Sequence, residues 1–133
     1  MTEKRPKHLL IIGGGVFQGP AIKVAKSMGL KVVVTDYNRE AEGMLMADYP
    51  IEVSTRNINL TVNAAKQFHA SCPLDGVMTV GTDASQTVSA VANALNLPGI
   101  PFEVAERSQK LFAQEVLPVL KTWDAEDKKT EAA

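Results

Sequence analysis

His8, Leu9, Leu10, Ile11 and Ile12 run into Gly13, Gly14, Gly15, Val16, Phe17, Gln18, Gly19 and Pro20, and this stretch decides the fold. A continuous apolar run bounded by glycine suits a strand covered on both faces. Ala21, Val24, Ala25 and Met28 then recur at i, i+3, i+4 and i+7, which predicts a helix from about Gly19 to Met28, closed by Gly29. A second apolar run, Lys31–Thr35, ends on Asp36. Strand, glycine-rich turn, helix and a strand ending on an acid form the opening unit of a nucleotide-binding type of α/β domain.

The same alternation continues outward. Asn38–Asp48 reads as a loop with a helical turn around Ala41–Met46, and Ile51–Val53 as a third strand. A helix is expected over about Asn59–Ala70, with Leu60, Ala64 and Phe68 on its apolar face, ended by Pro73. Gly76–Val80 reads as a fourth strand. Ser85–Leu95 reads as a helix with Val88, Val91, Ala92 and Leu95 as its stripe. Leu97–Pro101 is a turn that can carry a short fifth strand, and a last helix is expected over Glu103–Leu117, ended by Pro118. Such alternation with right-handed crossovers predicts a Rossmann-like three-layer sandwich with a mostly parallel sheet of four to five strands. We expect a flexible start at 1–7, one domain over 8–117 and a frayed tail over 118–133.

Composition narrows the function classes. A net charge of −1 supplies no basic field for nucleic acid or an anionic membrane. Cys72 is the only cysteine, so no intrachain disulfide can form, and a reducing, cytoplasmic setting is expected. His8 and His69 have no acid or cysteine at metal-ligand spacing and read as surface residues. Cys72 shows no activating partner and reads as a plain thiol. No residue stands out as a general base or nucleophile, so neither a catalytic residue nor a metal site is expected.

In a parallel sheet of this kind ligands sit beyond the carboxyl ends of the strands. That edge carries Gly13, Gly14, Gly15, Gln18 and Gly19, then Asp36, Tyr37 and Asn38, then Gly81, Thr82 and Asp83. Gln18 takes the place of the third glycine of the dinucleotide fingerprint. The glycine turn either offers backbone N–H groups to an anion or lets strand and helix pack closely. Asp36 either accepts bonds from sugar hydroxyls or closes an Asx turn. Either Thr82 or Asp83 caps the following helix, or the Thr82 hydroxyl and nearby backbone N–H groups face a small polar substrate.

Three blocks resemble the N-terminal domain of ATP-grasp ligases, as in carbamoyl-phosphate synthase large chains, biotin carboxylase and purine-biosynthetic carboxylate–amine ligases. They are Leu9–Gly15, Gly29–Asp36 with Ala47–Asp48, and Asp75–Asp83. Asn96–Pro101 is similar to the family's Leu-Pro-Gly turn, and Ser108–Lys110 to the passage into the ATP-binding module. The resemblance implies a domain that borders the acceptor-substrate site through its glycine turn and strand ends. It implies that ATP and magnesium are held by the module that follows, where a carboxylate is activated as an acyl phosphate for attack by an amine. Leu111–Ala133 contains no glycine and cannot hold that module, so the chain is expected to be a stand-alone, split or truncated piece with no cofactor of its own.

The resemblance implies a small-molecule substrate and, as partner, a chain carrying the ATP-grasp module or a second copy. Two other functions fit the same residues. One is an independent nucleotide- or metabolite-binding module. The other is an oligomerisation module whose contact face lies around Phe102–Leu117.

Overall fold

The computed structural model describes residues 4–81 and 83–98, together with positions 114, 115, 118, 119, 121 and 122. The apolar runs form β1 (His8–Ile12), β2 (Lys31–Asp36), β3 (Tyr49–Glu52) and β4 (Gly76–Met78). The helices are α1 (Gly19–Ser27), α2 (Glu42–Met46), α3 (Ile58–Ser71) and α4 (Ser85–Leu95), with a single 3₁₀ turn at Val16–Gln18 leading into α1. The chain divides into two compact units, Met1–Gly99 and Ile100–Ala133, and all of these elements lie in the first. Within the second, the Thr122 hydroxyl donates to the Val119 carbonyl at 2.6 Å.

The strands pair in parallel in the order β3-β2-β1-β4. β1 is central: His8 pairs with Lys31 of β2, and Leu9 with Gly76 of β4. After β3 the chain crosses back over β1 to start β4, so the strand order reverses between β1 and β4. Period-two alternation divides the apolar residues of β1 and β2 between two cores. Leu10, Ile12 and Val33 meet Ala65 of α3 and Val91 and Ala92 of α4. Ile11, Val32 and Val34 meet Ile22 and Ala25 of α1 and Met44 of α2. Helices on both faces of a parallel sheet make the first unit a Rossmann-like three-layer sandwich. Among the described residues the sheet has four strands; the stretch expected to carry a fifth strand, apart from Leu97 and Pro98, which are in no strand, and the expected last helix, apart from positions 114 and 115, lie outside them.

Several elements differ in detail from their sequence reading. In α1 the inward side chains are Ile22 and Ala25, whereas Val24 and Met28 are 58% and 69% exposed. Two overlapping helical stripes exist in this apolar segment, and the one containing Ile22 packs against Ile11, Val32 and Val34. In α3 Thr61 and Ala65 are buried and Leu60 is exposed; Phe68 packs on the core as expected. Thr61 tolerates burial because its hydroxyl donates to the carbonyls of Asn57 and Ser54, at 2.9 and 3.1 Å. The third strand starts at Tyr49, two residues before the apolar pair that marked it, because it is a largely exposed edge strand.

The two histidines are not free surface groups. His8 is buried, its ring packed beside Tyr49 and Phe68, and its Nε2 stands 3.1 Å from Cys72 Sγ. His69 Nδ1 accepts from the Leu74 backbone N–H. Cys72 therefore has an imidazole partner 64 residues away in sequence, a contact that local spacing cannot display. No helix among the described residues is long and apolar enough to cross a membrane.

Candidate functional site

The carboxyl edge of the sheet is assembled around Gly13–Gln18. Gly13 adopts φ +98°, a conformation that favours glycine, and its N–H donates to the Thr35 carbonyl at 2.8 Å. The next N–H, of Gly14, donates to Asp36 Oδ2 at 2.8 Å. Asp36 Oδ1 accepts from the Asn38 N–H at 2.8 Å, closing an Asx turn. The carboxylate at the end of β2 thus holds both the glycine turn and its own loop.

Gly14 is small because α2 sits on it. The Gly43 N–H donates to the Gly14 carbonyl at 2.7 Å, and a Cβ on Gly43 would stand 2.7–3.0 Å from Gly14 backbone atoms. A Cβ on Gly14 would press on Met44 and Val34 at 3.0–3.2 Å. Gly19 is buried at the start of α1, with Glu42 of α2 near the space a Cβ would take.

Two bonds cross the point where strand order reverses. Gln18, 2% exposed, donates through Nε2 to the Val80 carbonyl at 2.5 Å. The Thr79 hydroxyl donates to the Ile12 carbonyl at 2.7 Å. The segment after β4 is thereby tied to the end of β1 and to the turn that follows it.

The loop after β3 completes the edge. The Thr61 hydroxyl of α3 holds the Ser54 carbonyl, and the buried Thr87 hydroxyl of α4 donates to the Thr55 carbonyl at 2.7 Å. Ser54 Oγ accepts from the Arg56 N–H at 3.3 Å, and Asn57 caps α3 through a bond from the Leu60 N–H at 3.1 Å.

These segments enclose a cleft of about 540 Å³, lined by Gly13, Gly15, Phe17, Gln18, Asp36, Tyr37, Ser54, Thr55, Arg56 and Asp83. It has the size of a small-metabolite site and lies at the switch in strand order, where such sheets bind ligands. Phe17 and Tyr37 line it while staying 71% and 74% exposed.

A model of the ATP-grasp N-terminal domain matches residues 22–99. The chain belongs to the ATP-grasp N-terminal domain family. An L-amino acid ligase from Bacillus licheniformis is 27% identical, with a TM-score of 0.60 over 75% of this chain and 26% of its own. A phosphoribosylglycinamide synthetase from Anaerococcus prevotii is 26% identical, with a TM-score of 0.58 over 71% of this chain and 23% of its own. An N5-carboxyaminoimidazole ribonucleotide synthetase, solved as its ADP complex, shares the fold at 23% identity and a TM-score of 0.55, over 67% of this chain and 22% of its own. The chain thus spans about a quarter of the length of the solved proteins it matches. No curated protein sequence gives a significant match.

The family match includes Asp36, Arg56 and Asp83 and begins after the glycine turn. Of the residues expected at the site of this ATP-grasp N-terminal domain, Gly13, Gly15, Gln18, Asp36, Tyr37 and Asp83 come together in the cleft. Gly14 and Gly19 lie behind it in packing roles. Asn38 stands in the adjoining turn, where its side chain accepts from the Glu40 N–H at 3.0 Å. Gly81 takes φ +62°, with Phe17 against it. Thr82 lies outside the described residues.

Sequence reasoning missed Arg56, Ser54, Thr55 and Phe17 at the cleft, and Gly43 behind it. Only Gly43 carried a signal: a glycine inside a short helical pattern is unfavourable for the helix and so points to a packing role.

The cleft presents two carboxylates, Asp36 and Asp83, and one guanidinium, Arg56. Among the described residues no lysine lines it, and no trio of His, Cys, Asp and Glu stands together as a metal would require. The donor set present does not fit a nucleoside triphosphate with its metal, and no step through that group follows from these residues.

Proposed function

We propose that this chain supplies the acceptor-substrate side of an ATP-grasp carboxylate–amine ligase. The observation that carries the reading is the cleft itself. It is built at the switch in strand order, within a family domain, from groups suited to a small polar molecule and not to a triphosphate. In this reading ATP and magnesium belong to an ATP-grasp module facing the cleft. The exposed Phe17 and Tyr37 at the cleft are the surface such a module would cover.

The domain's own work is binding and orientation. Its rigid turn, tied by Asp36 and Gln18, holds the acceptor at the open edge and keeps that geometry without help from the nucleotide. The likeness to an L-amino acid ligase and a phosphoribosylglycinamide synthetase supports an amine- or carboxylate-bearing acceptor. Nothing in the cleft favours a carbamoyl-phosphate synthase type over these.

Isothermal titration of the full chain tests this. The expected result is weak saturable binding of an amino acid or an amine-bearing phosphate, and no binding of magnesium–ATP. Tight binding of magnesium–ATP or NAD, abolished by Gly15→Val, would replace the reading with an independent nucleotide-binding module.

A further inference from the structure

The geometry points to Arg56 as the anion anchor of the cleft, holding the carboxylate or phosphate of an amphoteric acceptor whose ammonium faces Asp36 and Asp83. This rests on the acceptor-side reading and goes beyond it by naming the ligand's charge pattern and the residue that reads it.

Three observations carry it. First, Arg56 is the only cation among the described residues lining the cleft, and both acids lining it are carboxylates. A ligand bearing only an anion would meet two like charges there. A ligand bearing only a cation would leave the guanidinium unused. An ammonium and an oxyanion on one small skeleton match all three groups.

Second, the Arg56 guanidinium is uncommitted. Arg5 forms an ion pair with Asp75 at 2.8 Å, and Arg39 approaches Glu52 at 3.9 Å, whereas Arg56 has no ion pair among the described residues. Its five N–H donors are left to grip a planar or tetrahedral oxyanion in a bidentate way.

Third, the backbone under Arg56 is fixed from below. Thr61 and Thr87 are almost fully buried, and each uses its hydroxyl to hold a carbonyl of the two residues before Arg56. Ser54 Oγ then accepts the Arg56 N–H. Helices α3 and α4 therefore both pin one short loop, and the element so pinned bears the cleft's cation. Preorganisation of this kind lowers the entropy lost on binding.

The test compares ligand pairs that differ only in the oxyanion, using the full chain. L-alanine is set against L-alaninamide, and phosphoethanolamine against ethanolamine. Amide shifts of Gly13–Gln18 report whether the glycine turn senses the ligand. Arg56 is exposed, so Arg56→Ala should keep the fold, checked by unchanged thermal unfolding.

The wild-type chain should prefer the oxyanion-bearing member of at least one pair, and which pair identifies carboxylate or phosphate. Arg56→Ala should weaken that ligand about tenfold to a hundredfold and leave its neutral counterpart unchanged. Arg56→Lys should recover part of the loss. If alanine or phosphoethanolamine moves the glycine turn equally in wild type and Arg56→Ala, the anchor assignment is overturned while the acceptor-side reading stands. If none of the four probes moves the turn, both fall.

Discussion

Gln18 and Val80, 62 residues apart, share a hydrogen bond in which the buried Gln18 amide donates to the Val80 carbonyl at 2.5 Å. This bond joins the glycine turn to the segment after β4 across the reversal of strand order. It explains why a long polar side chain occupies a place where a dinucleotide-binding turn needs glycine. Gln18→Met keeps the volume and removes the donor, and should cost about 1–2 kcal/mol in urea unfolding. Gln18→Glu should cost more at neutral pH, where a buried carboxylate faces a carbonyl oxygen. It should recover as pH falls and the acid becomes a donor.

Gly43 should be the least replaceable glycine of α2 and its surroundings. A Cβ there meets Gly14 backbone atoms at 2.7–3.0 Å, and backbone cannot swing aside. Gly43→Ala should lose about 1–3 kcal/mol by overpacking, even though alanine is the better helix former. Gly76→Ala is the control, because its Cβ would meet only the Leu9 side chain at 3.6 Å. Denaturant midpoints of the two variants make the comparison.

The start of the domain should confer a defined acid sensitivity. Arg5 donates twice to Asp75 at 2.8 Å, and the His8 N–H donates to the same carboxylate at 2.8 Å. The Arg5 hydrogen bonds lead in lowering the Asp75 carboxyl to about 2, against partial burial that opposes them. A carboxyl whose folded value is depressed adds stability above its unfolded value of 3.8, and that stability is lost as pH falls from about 4 toward 2. Asp75→Asn should flatten the stability profile in that window. Chemical unfolding measured across it reads the effect directly.

How far the sequence discloses the molecule can be judged on particular residues. Ser85–Leu95 is legible to the residue, because its stripe is unambiguous and Asn96 ends it in a left-handed conformation. The parallel direction of the strands follows from the alternation of elements, whereas their order, β3-β2-β1-β4, comes from the fold. The inward face of α1 is not legible either: Val24 and Ile22 belong to overlapping apolar stripes, and only the packing of Ile22 against β1 and β2 distinguishes them. The Asp36 carboxylate illustrates a role that sequence leaves open, since in the fold both its oxygens engage backbone N–H groups. Arg56 has no motif around it. Its place in the cleft depends on Thr61 and Thr87, which lie 5 and 31 residues further along the chain.

The two candidate faces of α1 give a direct stability contrast. Ile22 is fully buried in the core under β1 and β2, so Ile22→Ala should cost about 2–5 kcal/mol. Val24 is 58% exposed, and Val24→Ala should stay within about 0.5 kcal/mol of wild type. Equal losses at both positions would show that the helix is turned differently.

In the proposed function the cleft between the glycine turn and Arg56 is the working site and receives an acceptor, not the nucleotide. Amide chemical-shift mapping of the whole chain with L-alanine, phosphoethanolamine and magnesium–ATP in turn tests it most directly. Shifts should cluster at Gly13–Gln18, Asp36–Asn38, Ser54–Arg56 and Asp83 with an amine-bearing oxyanion, and none should occur there with magnesium–ATP. Shifts at those residues with magnesium–ATP alone would contradict it.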